Sequence, residues 1–504
     1  MAISRPTLEE IQAISERFNL GLSGDELKEY WGFACEAVDG YAEMDELADV
    51  KLPVRYPRQE VGYRPVGEDN PVNGWAWKCR IEGAAEGLLA GKTVAIKDNT
   101  AVAGMPMLNG SALMEGYVPD EDATVVTRLL DAGATIVGKT NVPGFCVDGG
   151  GVTGYPEPQP INPHGADYLP GASSNGSGVV VANGEVDIAT GGDQGGSIRL
   201  PASWSGCCGL KPTHGLVPYT GIFPIELTLD HTGPMARTVE ECARTLQAIA
   251  GPDGMDPRQP AGLQPGDYLG ALGRDVKGLR IGLLREGFSI PGASEPEVDE
   301  AVRAAVAELE SAGASVTEVS APLHRLGVTL WNAIAFEGAT AQMVAGDGYG
   351  LNWKGHYSTG LMDFYGRARK ARGRDFSPTT KVTILVGSYM SEAHNHHYYA
   401  KAQNTARRLR EQYDAALAQV DVMVMPTTPM VARRRPQGNS LAETFDGALG
   451  NLHNTAAFDI SGHPAMSVPC GSKGGLPIGM MIVGGHFREE TVLQVARAHE
   501  QAGR

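Results

Sequence analysis

Apolar positions recur along the chain with two different periods, and the change from one to the other separates helices from strands. In the first fifty residues Leu8, Ile11, Ile14 and Phe18 share one helical face, and Leu27, Tyr30, Trp31, Ala34 and Val38 share another. Thr7 with Glu10, and Ser23 with Glu26, stand at capping-box spacing ahead of these runs. A helical hairpin is therefore expected over 1–50, too small to fold alone and suited to packing or dimerisation. Residues 51–73 carry Pro53, Pro57, Pro65 and Pro71 and read as an extended linker. Beyond them strands and helices alternate. Thr93–Asp98 is a β-branched strand, Ala123–Ala132 a helix stopping at Gly133, and ATIVG the strand after it. The phrase returns as LRIGLL, a helix capped by Ser294 and Glu297, Gly313, and ASVTEV. DVMVMP and LPIGMMIVG are further apolar strands, a helix-rich stretch runs from about Leu326 to Leu417, and a last helix begins near Thr491. Such alternation predicts an α/β fold, one large domain over 74–504 with helices on both faces of its sheet.

Composition narrows the class. The 504 residues are 42% apolar and 20% charged, which excludes wholesale disorder. The 66 glycines, about twice the ordinary share, cluster instead of recurring every third residue, so collagen is excluded. A formal charge of −17 leaves no basic face for a phosphate backbone, and no nucleic-acid partner is expected. Seven cysteines without a C-x-x-C pair fit neither a disulfide frame nor a zinc knuckle. No stretch approaches 18 apolar residues and the N-terminus has no apolar h-region, so no membrane partner is expected. The expectation is a reduced, cytoplasmic protein.

Two motifs are decoys. Gly133–Thr140, GATIVGKT, spells a Walker A loop, but its middle residues are strand formers and a helix precedes them, the reverse of a phosphate cradle. His394, His396 and His397 form an H-x-H-H group with no carboxylate or cysteine at ligand spacing, and read as a surface or helix-end cluster. The G-x-S-x-G and S-x-x-K signatures of common serine hydrolases are absent.

Three segments carry the chemistry. Lys97 ends the strand of VAIKDN, Gly171–Gly178 reads GASSNGSG, and Gly191–Thr213 reads GGDQGGSIRLPASWSGCCGLKPT. Taken alone, Lys97 is an ordinary strand-end lysine, and either glycine-serine segment is a turn capping a helix. Two glycines before Ser197 nevertheless let successive backbone N–H groups converge, as an oxyanion hole requires.

Together the segments resemble the amidase signature family of serine hydrolases, with its Ser–cis-Ser–Lys triad. The resemblance covers about Gly74 to the C-terminus, and the 24 positions from Ser173 to Ser197 match the family's spacing. It implies a central mixed twisted sheet covered by helices, with the N-terminal hairpin as a small extension. It implies Ser197 as nucleophile, Ser173 as the bridging cis-serine and Lys97 as base. Backbone N–H groups of Gln194, Gly195, Gly196 and Ser197 would form the oxyanion hole, with Ser174, Asp193 and Arg199 holding the loops. Ala172 and Asn175 stand where the family commonly has glycine, and Gln194 where many members have threonine. The N-terminal hairpin, the D-Q-G-G-S variant and VPYTGIFPIE are similar to the microbial acylamidase branch.

A serine hydroxyl attacks only when a base takes its proton, and lysine can do so near neutral pH only when burial lowers its pKa. The expected activity is cofactor- and metal-free hydrolysis of small or aryl carboxamides, with esters as side substrates and carbamates as an extension if the pocket is open and apolar. The alternative is an amidotransferase A subunit that feeds ammonia to a partner protein. Trp331, Trp353, Tyr357 and Phe364 are the aromatic candidates for pocket walls, and a homodimer is the expected assembly from base rates.

Overall fold

Strands buried at every position must be covered on both sides, because successive side chains point to opposite faces, and that condition organises this molecule. The structure is a computed structural model describing residues 3–58, 60–438 and 440–503; Met1, Ala2, Gln59, Asn439 and Arg504, including both chain ends of the expected domains, lie outside that description. The chain divides into two compact units, one ending at Lys51 and the other spanning Leu52–Arg504. In the first, helices Leu8–Arg17 and Gly24–Tyr41 form the hairpin. Thr7 and Glu10 make the reciprocal cap, Glu10 N to Thr7 Oγ1 at 3.2 Å and Thr7 N to Glu10 Oε2 at 2.7 Å.

The second unit holds an eleven-stranded mixed sheet. Its strands are β1 (Trp75–Glu82), β2 (Thr93–Lys97), β3 (Thr135–Thr140), β4 (Ile188–Asp193), β5 (Cys208–Lys211), β6 (His231–Ala236), β7 (Arg280–Leu284), β8 (Ser315–Val319), β9 (Val422–Pro426), β10 (Ala465–Lys473) and β11 (Leu476–Gly484). Their order is β1-β3-β2-β4-β6-β5-β10-β11-β9-β7-β8. Residues of β4, β5, β6, β9 and β11 are buried throughout, as a doubly covered sheet demands. Helices Arg199–Ser205 and Glu489–Ala502 pack on the strands β10 and β11.

Several boundaries differ from the sequence reading. The helix expected to be capped by Ser294 spans Pro296–Ser311 with Glu295 as N-cap and proline at its first turn, while Ser294 Oγ accepts from Ile290 N at 2.8 Å. The last helix starts at Glu489, whose carboxylate accepts from Thr213 N at 2.7 Å. Residues 52–73 lie within the larger unit, where Leu52 N donates to Glu121 Oε2 at 3.0 Å. The octapeptide Gly133–Thr140 is helix end and β3, and Lys139 is fully buried in that strand 2.8 Å from Asp98 Oδ1. No phosphate cradle exists there. His394 closes helix Pro378–His394, and Asn395 and His396 turn left-handed before helix His397–Leu417.

The topology places the chemistry. β2 and β4 run parallel with Ala95 opposite Ala189, so their carboxyl ends emerge side by side. Lys97 ends one and Asp193 the other.

Candidate active site

Lys97 is 1% exposed and points back across the β2–β4 pair. Its amide donates to Thr190 Oγ1 at 2.9 Å, and its Nζ reaches Ser173 Oγ at 2.8 Å and Gly192 O at 3.0 Å. Burial pushes its pKa below the ordinary lysine value, against the pull of the Cys146 thiol, Asp193 and Asp230. Ser173 follows a cis peptide bond from Ala172 and has no exposed surface. Ser174 knits the two serine segments: its Oγ exchanges hydrogen bonds with Gly192 N at 3.1 Å and Gly192 O at 3.2 Å, and its N–H donates to Ser197 O at 3.1 Å. The three segments singled out in the sequence thus meet at one place.

The turn after β4 is held from several sides. Asp193 Oδ1 accepts from Gly196 N at 2.6 Å, and Oδ2 accepts from Ile198 N at 3.0 Å. Arg199 donates to Asp193 through Nε and Nη2 at 3.0 and 2.9 Å and to Asp459 Oδ2 at 2.7 Å. Burial alone would raise the Asp193 carboxyl, but the guanidinium outweighs it and holds the group far below the carboxylate range. Gly196 adopts φ +138°, and a Cβ there would stand 2.3 Å from Thr455 Oγ1, so only glycine fits.

Of the four N–H groups expected to form the oxyanion hole, that of Gly196 already has a protein acceptor. Asp193 Oδ1 takes that N–H and with it fixes the turn. Among the described residues no protein acceptor meets the N–H groups of Gln194, Gly195 and Ser197. Two side chains fix the peptides of this loop. Trp331 Nε1 donates to Gln194 O at 2.5 Å, and Thr455 Oγ1 donates to Gly195 O at 2.6 Å. In a trans peptide the N–H points opposite the C=O, so pinning Gln194 O on one side aims the Gly195 N–H to the other. Trp331→Phe removes one such bond and keeps an aromatic ring. We expect kcat to fall about five- to tenfold, the equivalent of roughly 1 kcal/mol, with KM changed less. A fall confined to KM in steady-state kinetics would instead make Trp331 a plain wall.

Ser197, Gln194, Gly195 and Trp331 border a cavity. Ile225, Leu229, Ala335, Phe336, Ala339, Val382, Leu449 and Leu452 give it apolar walls. Ala335 and Ala339 follow Trp331 at helical spacing on the helix Gly327–Ala339, which turns its small residues to the space. Asp148 is the sole carboxylate in the lining, and it is consumed. Its oxygens accept from the N–H groups of Gly150, Gly151, Val152 and Thr153 at 2.8–2.9 Å. The walls present no free charge.

Of the four aromatic candidates only Trp331 lines this cavity. Tyr357 and Phe364 pack on a separate apolar cluster, and the Trp353 ring bonds to His356 O at 3.2 Å. Thr455 and Asp459 escaped the sequence reading, while Tyr219, of the VPYTGIFPIE segment, accepts through its hydroxyl from Gln194 Nε2 at 3.0 Å. Thr455 and Asp459 stand singly in the chain, and only folding brings them to the loop.

The amidase family profile matches residues 76–493. An enantioselective amidase of Rhodococcus rhodochrous is 44% identical over 509 aligned residues, covering 100% of this chain and 97% of the relative. The A subunit of a glutamyl-tRNA(Gln) amidotransferase from Cyanothece sp. is 39% identical, covering 83% of this chain and 86% of the relative. Among solved structures, the native peptide amidase of Stenotrophomonas maltophilia superposes with a TM-score of 0.67 at 32% identity, covering 82% of this chain and 83% of that one. With the family profile spanning most of its length and a relative matched from end to end, this chain belongs to the amidase signature family.

Proposed function

We propose that this enzyme hydrolyses carboxamides through an acyl-enzyme on Ser197, with Ser173 as proton relay and Lys97 as base. The observation that carries the reading is the 2.8 Å contact between the buried Lys97 Nζ and Ser173 Oγ, one residue from Ser174, whose N–H donates to O of the cavity-lining Ser197. Ser197 Oγ adds to the carbonyl carbon and passes its proton to Ser173 Oγ, whose own proton moves to neutral Lys97. The oxygen's developing charge meets the N–H groups of Gly195 and Ser197, with Gln194 beside them. The relay then returns a proton to the leaving nitrogen, the C–N bond breaks, and water repeats the sequence to release the acid.

The uncharged walls support neutral, apolar or aryl acyl groups, and an ester or carbamate carbonyl asks nothing more of the same atoms. The 39% identity to one component of an amidotransferase favours a second reading, in which the triad feeds ammonia to a partner. Free glutamine, however, brings a charged amino-acid end that this lining leaves without an ionic partner. The seven cysteines are unpaired, which supports a reducing cytoplasm, and no helix among the described residues is long and apolar enough to cross a membrane.

The test is rapid-quench intact-mass analysis with matched amide, ester and carbamate of one aryl acid. We expect amide turnover by the chain alone and one acyl adduct mapping to Ser197. Amide turnover without an adduct on Ser197 rejects the covalent mechanism, and adduct formation only with a partner protein selects the amidotransferase reading.

A further inference from the structure

We propose that Asp414, His463 and His486 form a binding site for a divalent d-block cation such as zinc, separate from the catalytic cavity. Their three donor atoms lie within 4.8 Å of one another. His463 Nε2 is 3.1 Å and His486 Nδ1 3.8 Å from the same oxygen, Asp414 Oδ1. Donors placed about 2.0–2.1 Å from a tetrahedral zinc stand about 3.3 Å apart, near the 3.1 and 3.8 Å that separate Asp414 Oδ1 from the two rings.

An outer hydrogen bond settles which ring nitrogen of His486 is available. His486 Nε2 faces Ser461 O at 2.9 Å, and a carbonyl accepts only, so that nitrogen carries the proton. The neutral ring then turns the lone pair of Nδ1 towards a carboxylate oxygen. Two acceptors facing each other call for a cation between them. His463 has its outer nitrogen, Nδ1, 3.0 Å from Ser461 Oγ. One serine thus orients both imidazoles, the arrangement that fixes metal-ligating histidines elsewhere.

The site has an opening and a restraint. The Asp414 side chain is 53% exposed, which gives a cation its path and leaves a fourth position for water. Arg410 donates to Ser461 O at 3.1 Å and places one positive charge nearby. That charge disfavours magnesium and calcium, which depend on carboxylates, and leaves imidazole-seeking zinc, nickel or copper. None of the three residues borders the catalytic cavity, yet the site begins where helix Ala456–Ser461 ends, and Asp459 of that helix holds Arg199. An ion here would tie helix His397–Leu417 to the segment behind the oxyanion loop.

Calorimetric titration of the metal-free full-length protein with zinc, with cobalt(II) absorption as the second readout, tests the proposal. One saturable zinc equivalent and tetrahedral cobalt bands are expected. His486→Gln and Asp414→Asn should each weaken zinc at least about tenfold, because losing a ligand costs no less than losing an outer partner. Arg410→Gln should tighten it. No saturable equivalent, or the same affinity in both ligand variants, assigns any bound zinc to the exposed histidines near His397 and overturns the site.

Discussion

Ser197→Ala and Lys97→Met are each expected to lower kcat for amides by about 10⁴–10⁶-fold, and the double variant to lose no more than the worse single one. The two groups work as a unit: without the hydroxyl there is no bond to the acyl carbon, and without the amine its proton has nowhere to go. Lys97→Met should nevertheless fold. It replaces a buried amine by an apolar chain of similar length and removes a desolvation cost, while Gly192 O still accepts from Ser174 Oγ. Multiplicative losses in the double variant would show that serine and lysine act independently. The same assignment sets a pH profile. Because burial depresses the Lys97 pKa, its neutral form gains as pH rises through that lowered value, so kcat/KM for an amide should climb towards alkaline pH and then level. A flat profile from about pH 6 to 9 would remove Lys97 as the base.

Legibility in the sequence followed local chemistry. β2 was readable because TVAIK is β-branched and apolar and a burial-driven strand needs nothing else. β4 was not, although it is as deeply buried, because IATGGD ends in two glycines and an aspartate, all poor strand formers. Its place comes from pairing with β2 and β6, which no local preference encodes. The serine segments could be found from their glycines, since Gly196 must be glycine beside Thr455. The use of each N–H could not. The resemblance implies four donors to a substrate, whereas Asp193 already accepts from one of them. Trp331 was visible only as an aromatic on a helix, and its bond to Gln194 O joins residues 137 positions apart.

Arg199→Leu is expected to destabilise the fold by about 3–5 kcal/mol, the usual cost of stripping one partner from a buried ion pair. The guanidinium is fully buried and holds Asp193, Asp459 and, through Nη1 at 3.0 Å, Thr455 O. Without it two buried carboxyls share one site, and burial, followed by the charge of Asp193, already keeps Asp459 well above the ordinary range. The sign of the pH dependence follows. In the wild type the depressed Asp193 pKa adds stability above the unfolded carboxyl pKa and loses it as pH falls through the folded value. In the variant that pKa rises above its unfolded value, so ionising the group costs stability as pH increases. Urea unfolding midpoints should therefore lie closer together at about pH 5 than at about pH 8. A gap that is the same at both would mean that lost packing, and not the orphaned carboxyls, accounts for the damage. Activity should fall further than stability alone explains, because Asp193 positions the Gly196 and Ile198 amides and, between them, the turn that presents Ser197. The buried arginine thus links the stability of the core to the aim of the nucleophile.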